Sequence, residues 1–325
     1  MKTIGFLISH KDGEQRRGIL PVDIAKNVAN PNQMYIECGY GTCIGISDED
    51  YQSVGCHVVS RENVFKCDII VDVKLGDADY LDELSEGKVL FGWAHAVQNI
   101  PFTSKMLENN HTVIAWEEIY EDGRYIFYRN REIAGEAAVM HAIRYSGKMP
   151  YDCSVAILGN GQTAKGAMRI LHGLGASVDV YGRKLERLFR KKMYQYDVII
   201  NCVMWDTDRK DRVIYRSDLK KMRPGTLIID VSCDPNLEIE TSRATTISAP
   251  VYVVDGVIHY AVDNTPAMFP KTVSKVLSNG VSRYIDELVL DNYSDNLRKA
   301  VVVEQGHIAH DSIRRFRTER NVFCK

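Results

Sequence analysis

The 325 residues contain no C-x-x-C pair, no apolar run approaching eighteen residues, and no internal repeat or low-complexity tract. Each absence closes a class. Without closely spaced thiols there is no zinc-ribbon or thioredoxin-type site to read. Without a long apolar run there is no membrane span. The opening M-K-T-I-G-F-L-I-S predicts a strand, its apolar part being too short for a secretory leader. Lysine and arginine number 41 against 43 acidic residues, a formal net charge of −2, so no overall field draws the chain to nucleic acid or an anionic membrane. Of the eight cysteines (38, 43, 56, 67, 153, 202, 233 and 324), several lie in apolar, strand-like runs, where a thiol behaves as a small hydrophobe. A reduced, cytoplasmic protein is expected.

What the chain does contain centres on 153–167, C-S-V-A-I-L-G-N-G-Q-T-A-K-G-A. A short apolar run stops at Gly159. Gly161 and Ala164 follow at the spacing G-x-G-x-x-A, and a helix-compatible stretch continues. That is the strand–turn–helix opening of a dinucleotide-binding unit. Gly159 permits the tight turn, Gly161 lets backbone approach a pyrophosphate, and a small residue at 164 allows close packing. The helix start, with Asn160, Gln162 and Thr163, offers N–H groups to the anion.

Around it, strands are predicted at 4–8, 34–37, 57–59, 68–73, 89–92 and 112–115, and again at 155–158, 177–181, 198–203 and 226–231, separated by short helical patterns. The alternation predicts an α/β protein of two Rossmann-like, doubly wound domains with a cleft between them. The substrate domain is expected at 1–130 plus about 280–325, and the dinucleotide domain at 131–279. A helix at 131–146 is expected to bridge the two, and one at 274–290 to return to the first domain.

In such sheets ligands bind at the carboxyl ends of strands. Arg16 and Arg17 follow the first strand, Lys74 follows D-I-I-V-D-V, His95 follows V-L-F-G-W-A, and Asp234 follows T-L-I-I-D-V-S-C. A lysine after a strand is commonly a solvated loop residue, and a histidine beside Trp93 is commonly a satisfied core group. The positions gain meaning as a set.

This set carries a resemblance. The segments E-Q-R-R-G-I-L-P (14–21), V-D-V-K (71–74), L-F-G-W-A-H (90–95), M-R-P-G-T-L-I-I-D-V-S-C-D (222–234) and H-Y-A-V-D-N-T-P-A-M-F-P-K-T (259–272) resemble the alanine dehydrogenase / pyridine nucleotide transhydrogenase superfamily, in family order over nearly the whole chain. M-K-T-I-G-F-L-I-S-H-K, F-G-W-A-H-A-V-Q-N and G-N-G-Q-T-A-K-G-A look most like the branch that joins a 2-keto acid to an amino acid's side-chain amine. The lysine-forming saccharopine dehydrogenases are mechanistic relatives.

The resemblance implies roles. Arg16, with Arg17 as the one-residue alternative, would bind the keto-acid carboxylate. Lys74 would contact the same substrate, His95 would act as general acid/base, and Asp234 would lie near the nicotinamide. Arg131, Val203, and the Asp263–Asn264 pair match cofactor-contacting positions. Relatives assemble, which implies a homo-oligomer acting on small molecules. The implied reaction joins pyruvate to the side-chain amine of ornithine, or of lysine, through an imine. The alternatives are alanine dehydrogenase chemistry with ammonia, saccharopine-type chemistry with 2-oxoglutarate, and a non-catalytic nucleotide-binding subunit. Sequence singles out no further cation for a second carboxylate.

The nicotinamide is read from the second strand of the unit. NAD sites place Asp or Glu at its end to accept the ribose hydroxyl. Here S-V-D-V-Y is followed by Gly182, then Arg183 and Lys184, with Arg187 one turn on. A missing acid and added cations suit a 2′-phosphate, so NADP(H) is expected. Asp179 is the counter-candidate, but it falls inside the strand.

Three features are set aside. His307 and His310 have the wrong spacing and no third ligand for a metal, and predict a solvent-facing helix; no metal is expected. Cys38 and Cys43 have no further ligands. Trp205 fits packing as well as a cofactor contact. The basic C-terminus (Arg314, Arg315, Arg317, Arg320, Lys325) predicts a solvated helix face.

Overall fold

Short strands and helices alternate from the first residues on, because apolar runs of three to five residues are cut repeatedly by Gly, Pro and charged turns. The computed structural model describes residues 1–204, 209, 211–233, 238–320 and 322. Asp234, Trp205, Cys324 and Lys325 lie outside the described residues.

The chain first lays down β1 (Ile4–Phe6), β2 (Met34–Glu37), β3 (His57–Val59), β4 (Ile69–Asp72), β5 (Val89–Gly92) and β6 (Thr112–Ala115), then a small hairpin of β7 (Tyr120–Glu121) and β8 (Arg124–Tyr125). A second series follows: β9 (Ser154–Leu158), β10 (Ser177–Tyr181), β11 (Val198–Asn201), β12 (Leu227–Asp230), β13 (Val251–Val254) and β14 (Val257–Tyr260). The C-terminal β15 (Val301–Glu304) and β16 (His307–Ile308) return to the first sheet. The sheet orders are β16-β15-β6-β5-β4-β1-β2-β3 and β10-β9-β11-β12-β14-β13. Strands β1–β6 pair in parallel, as do β9–β12 with β14; β13 and β16 are antiparallel edge strands, and β15 runs antiparallel between β16 and β6. The central strands β4, β5, β11 and β12 are buried at every residue, which explains their unbroken apolar character.

Two units result, Met1–Phe127 with Phe269–Lys325, and Tyr128–Met268. The boundaries differ from 130 and about 279 for local reasons. The helix α1 (Tyr128–Ala142) packs along α2 (Gln162–Gly173) from its start: a Cβ on Gly135 would stand 2.0 Å from the Thr163 carbonyl oxygen, and one on Gly166 1.9 Å from that of Glu132. The helix expected to bridge the domains thus packs against the nucleotide-domain helix. The helix α3 (Pro270–Val281) belongs with the first unit, where Ser274 Oγ accepts from the Arg17 N–H and Ser278 Oγ from the Leu20 N–H, both at 2.8 Å.

Two expectations for the C-terminal segment are corrected. His307 lies in a strand, because Gly306 at φ +74° turns β15 back into β16. His310 only precedes the last helix, Asp311–Thr318. On that helix Arg317 is buried, donating to Ser104 Oγ at 3.0 Å, instead of lying on a solvated face. No helix among the described residues is long and apolar enough to cross a membrane.

Candidate active site

The first unit gathers three of the expected residues at adjacent strand ends. β4 and β5 run in register with Asp72 opposite Gly92, and a Cβ on Gly92 would stand 2.0 Å from the Asp72 carbonyl oxygen. The turns that follow are laced together. Gly76 N–H donates to the Trp93 carbonyl at 2.9 Å, and Asn99 Nδ2 donates to the Gly76 carbonyl at 2.8 Å. Lys74 and His95 sit on these two turns. His95 holds φ +48°, a left-handed conformation that a non-glycine residue keeps only where its surroundings impose it. Lys74 is buried; its N–H donates to Asp72 Oδ1 at 2.8 Å, and its Nζ lies 3.8 Å from Asp77 Oδ2. Asp72 also accepts from the Tyr80 hydroxyl at 2.9 Å, and burial raises its carboxyl above the usual range.

Arg16 reaches the same place from the loop after β1. Its guanidinium lies 5.0 Å from the centroid of the Trp93 ring and is paired with Glu14, whose carboxylate accepts from Arg16 Nε at 2.8 Å and Nη2 at 2.5 Å. Both side chains are enclosed, so the pair is strongly oriented. The Trp93 indole N–H donates to the Tyr125 hydroxyl at 3.0 Å, fixing the ring. Arg17 is spent differently. It donates to the Tyr40 carbonyl through Nε and to the Arg16 carbonyl through Nη1, and it stacks on the Tyr40 ring at 5.2 Å. Between the two, Arg16 is the one that shares Trp93 with the His95 turn.

Sequence reasoning missed Glu117. Its carboxylate accepts from the Ala94 N–H at 3.2 Å and from the His95 backbone, and burial pushes its pKa up to about 7, with the neighbouring Glu118 adding to the rise. A carboxylate under the His95 turn accounts for that residue's unusual φ. Glu14 and Trp93 were visible in E-Q-R-R and F-G-W-A-H, but nothing in the strings told which would orient the arginine.

The second unit presents the dinucleotide features at the ends of β9, β10, β11 and β14. Gly159 has φ +100°, and a Cβ there would stand 2.7 Å from the Cys202 carbonyl oxygen. Gly161, the N-cap of α2, has no atom within 4 Å of a would-be Cβ, which leaves the helix start open to a pyrophosphate. Asn160 is exposed, Gln162 and Thr163 partly so, and Ala164 is buried. A dinucleotide fits this cradle.

After β10, Gly182 opens a turn in which Arg183 and Lys184, and then Arg187, are exposed, and their side chains make no hydrogen bond or ion pair to a described residue. Arg190, by contrast, is held by Glu186 at 3.6 Å and lies over Tyr215. Asp179 is occupied, accepting from the Tyr196 hydroxyl at 2.5 Å. Val203 follows β11, its N–H donating to Asn201 Oδ1 at 3.2 Å and its carbonyl accepting from Ser232 Oγ at 2.6 Å. Asn264, at φ +65°, starts a turn pinned to α1, since Thr265 Oγ1 donates to the Ala134 carbonyl at 3.0 Å; Arg131 lies one turn earlier on that helix, and Asp263 precedes the turn. No group of three or more His, Cys, Asp or Glu placed to hold a metal occurs among the described residues.

Two doubly wound units, one with a glycine turn for a dinucleotide and one with basic and imidazole side chains at its strand ends, define a pyridine-nucleotide oxidoreductase. Family models agree: residues 9–127 match the alanine dehydrogenase/PNT N-terminal domain and 183–312 its C-terminal domain. The chain belongs to the alanine dehydrogenase/PNT family, whose members bind pyridine nucleotide. It is 32% identical to an N(5)-(carboxyethyl)ornithine synthase of Clostridium botulinum, over 90% of this chain and 96% of that protein. It is 33% identical to one of Lactococcus lactis subsp. lactis, over 87% and 94%. An alanine dehydrogenase 1 of Staphylococcus aureus is 24% identical over 93% of each. In fold the chain is similar to an L-alanine dehydrogenase structure, with a TM-score of 0.82 and 23% identity over 97% of this chain and 99% of that one.

Proposed function

We propose that this chain condenses pyruvate with the side-chain amine of L-ornithine, or of L-lysine, and reduces the imine with NADPH to give an N-(1-carboxyethyl) amino acid. The observation that carries this reading is the convergence of Arg16, Lys74 and His95 on the turns around Trp93 within one unit. The relatives from Clostridium botulinum and Lactococcus lactis, both named N(5)-(carboxyethyl)ornithine synthase, support it.

Arg16 is preset by Glu14 and Trp93 to hold the keto-acid carboxylate. Lys74 stands by the carbonyl oxygen. His95 relays two protons from nitrogen to oxygen, one as the amine adds and the carbinolamine hydroxyl forms and one as that hydroxyl departs, so water leaves and a C=N bond remains. A bound nicotinamide supplies the hydride that reduces this carbon. The chain's remaining work is positioning: Glu117 under the His95 turn and Asp72 under Lys74 keep both groups in place. For the cofactor, Gly159, Gly161 and the start of α2 would hold the pyrophosphate, with Arg131, Val203 and Asn264 beside it. Arg183, Lys184 and Arg187 would take the 2′-phosphate of NADPH, a reading supported by their lack of described partners and by the engagement of Asp179.

Loss of NADPH absorbance with pyruvate plus ornithine, lysine or ammonium tests the function. Turnover with a diamino acid is expected. Turnover with ammonium alone would favour alanine dehydrogenase chemistry, and none with any pair would favour a non-catalytic nucleotide-binding subunit. His95→Ala should lower turnover roughly 10²–10⁴-fold while NADPH binding survives.

A further inference from the structure

A diamino acid brings a second carboxylate and a second ammonium group, and both need a place. The loop after β1 carries His10 and Lys11, and the loop after β4 carries Lys74, Asp77 and Asp79. Ion pairs join the two loops. His10 Nδ1 meets Asp79 Oδ1, and Lys11 Nζ lies 3.3 Å from Asp77 Oδ2. Lys74 Nζ lies 3.8 Å from that same Asp77 oxygen. Because both ammonium groups contact one atom, they are no more than about 7 Å apart.

These pairs differ in kind from Arg16–Glu14. There the side chains are 2% and 0% exposed, whereas Lys11 and Asp77 keep 23% and 39%, and His10 and Asp79 43% and 66%. An enclosed, bidentate pair is a fixed structural element. A solvent-exposed pair adds little stability, so a ligand that carries both charges can take it over at small cost.

We propose that Lys11, Asp77 and Asp79 form the subsite for the α-amino acid end of the amine substrate. Lys11 takes the α-carboxylate, and Asp77 with Asp79 takes the α-ammonium. The assignment rests on the function proposed above and supplies its specificity. In an extended ornithine about 6 Å separate the side-chain nitrogen from the carboxylate carbon. That span covers nearly the whole of the upper limit on the Lys74–Lys11 separation, so the nitrogen reaches the Lys74 and His95 turns while the carboxylate meets Lys11. The two carboxylates of the product each gain a cation, Arg16 for the keto-acid half and Lys11 for the amino-acid half. Ammonia, with no carboxylate, gains nothing from Lys11.

Steady-state kinetics with NADPH, pyruvate and either L-ornithine or 1,4-diaminobutane, the same amine without the carboxylate, test the subsite. Lys11→Ala should raise KM for ornithine by about 10–100-fold, the range for loss of a charged hydrogen bond. It should shift KM for pyruvate less than about threefold and should bring kcat/KM for ornithine down toward that for diaminobutane. Lys11→Arg should restore most of the ornithine preference. An unmoved KM for ornithine, or an equal rise in KM for pyruvate, overturns the subsite. If the wild-type protein turns over no amine, it is the proposed function that fails. Calorimetry with ornithine then decides the subsite separately. Binding that Lys11→Ala abolishes supports it, and no binding to the wild type, or equal binding to both, overturns it.

Discussion

Gly76 and Ala94 meet so closely that a Cβ on Gly76 would stand 2.3 Å from the Ala94 carbonyl oxygen. This contact, with the Gly76–Trp93 and Asn99–Gly76 hydrogen bonds, makes the Lys74 turn and the His95 turn one body. Gly76→Ala must push them apart. Turnover should fall by about 10²-fold, the scale of an ångström-sized misplacement. NADPH affinity, measured by fluorescence titration, should stay within about twofold of the wild type, because the glycine cradle is built by the other unit.

The adjacent arginines should separate cleanly. Arg16→Lys keeps a charge but loses the bidentate fork, so kcat/KM for pyruvate should fall by roughly 10²-fold with little change in KM for the amine. Arg17→Lys strips a fork from the Tyr40 and Arg16 carbonyls, so its cost should appear in unfolding, on the order of 2–4 kcal/mol. Denaturation curves and pyruvate kinetics on both variants check the division.

Gly182 tolerates a side chain: nothing lies within 4 Å of a would-be Cβ and its φ is −77°. Gly182→Asp with Arg183→Ser should therefore fold normally and shift preference toward NADH, measured as the ratio of kcat/KM for the two cofactors. An unchanged NADPH preference would remove these residues from 2′-phosphate recognition.

Glu117 titrates near 7 in the fold against 4.5 in an exposed peptide, so folding takes up a proton between those values. Its contribution to stability is fully present below about 4.5 and is lost as pH rises through 7. Glu117→Gln stays neutral throughout. Relative to the wild type, the variant should gain stability from pH 5 to pH 8, by at most about 1.4 kcal/mol per pH unit. Urea unfolding at several pH values checks the sign.

The fold was legible where strands are buried on both faces. β4, β5, β9, β11 and β12 show as unbroken apolar runs, and the turn at Gly159 as a spacing. The C-terminal strands β15 and β16 were not, because the exposed Glu304 and His307 dilute the pattern. At the site, Lys74 and His95 were readable as polar residues closing apolar runs, and Arg16 as a cation in the loop after the first strand. Their supports were not. Glu14 orients Arg16 by a local ion pair, but Glu117 reaches the His95 turn from beyond β6, and no spacing encodes that contact. Lys11 carries no signal in its polar loop; its place follows from Asp77, which contacts both it and Lys74.

The most direct test of imine reduction follows the hydride. The protein is given pyruvate, L-ornithine and NADPH carrying deuterium at the transferable C4 position, and the product is analysed by mass spectrometry. One deuterium should appear on the carbon that was the pyruvate carbonyl, now bonded to the ornithine side-chain nitrogen. Deuterated alanine formed only when ammonium is supplied, or no transfer to carbon at all, would contradict the account.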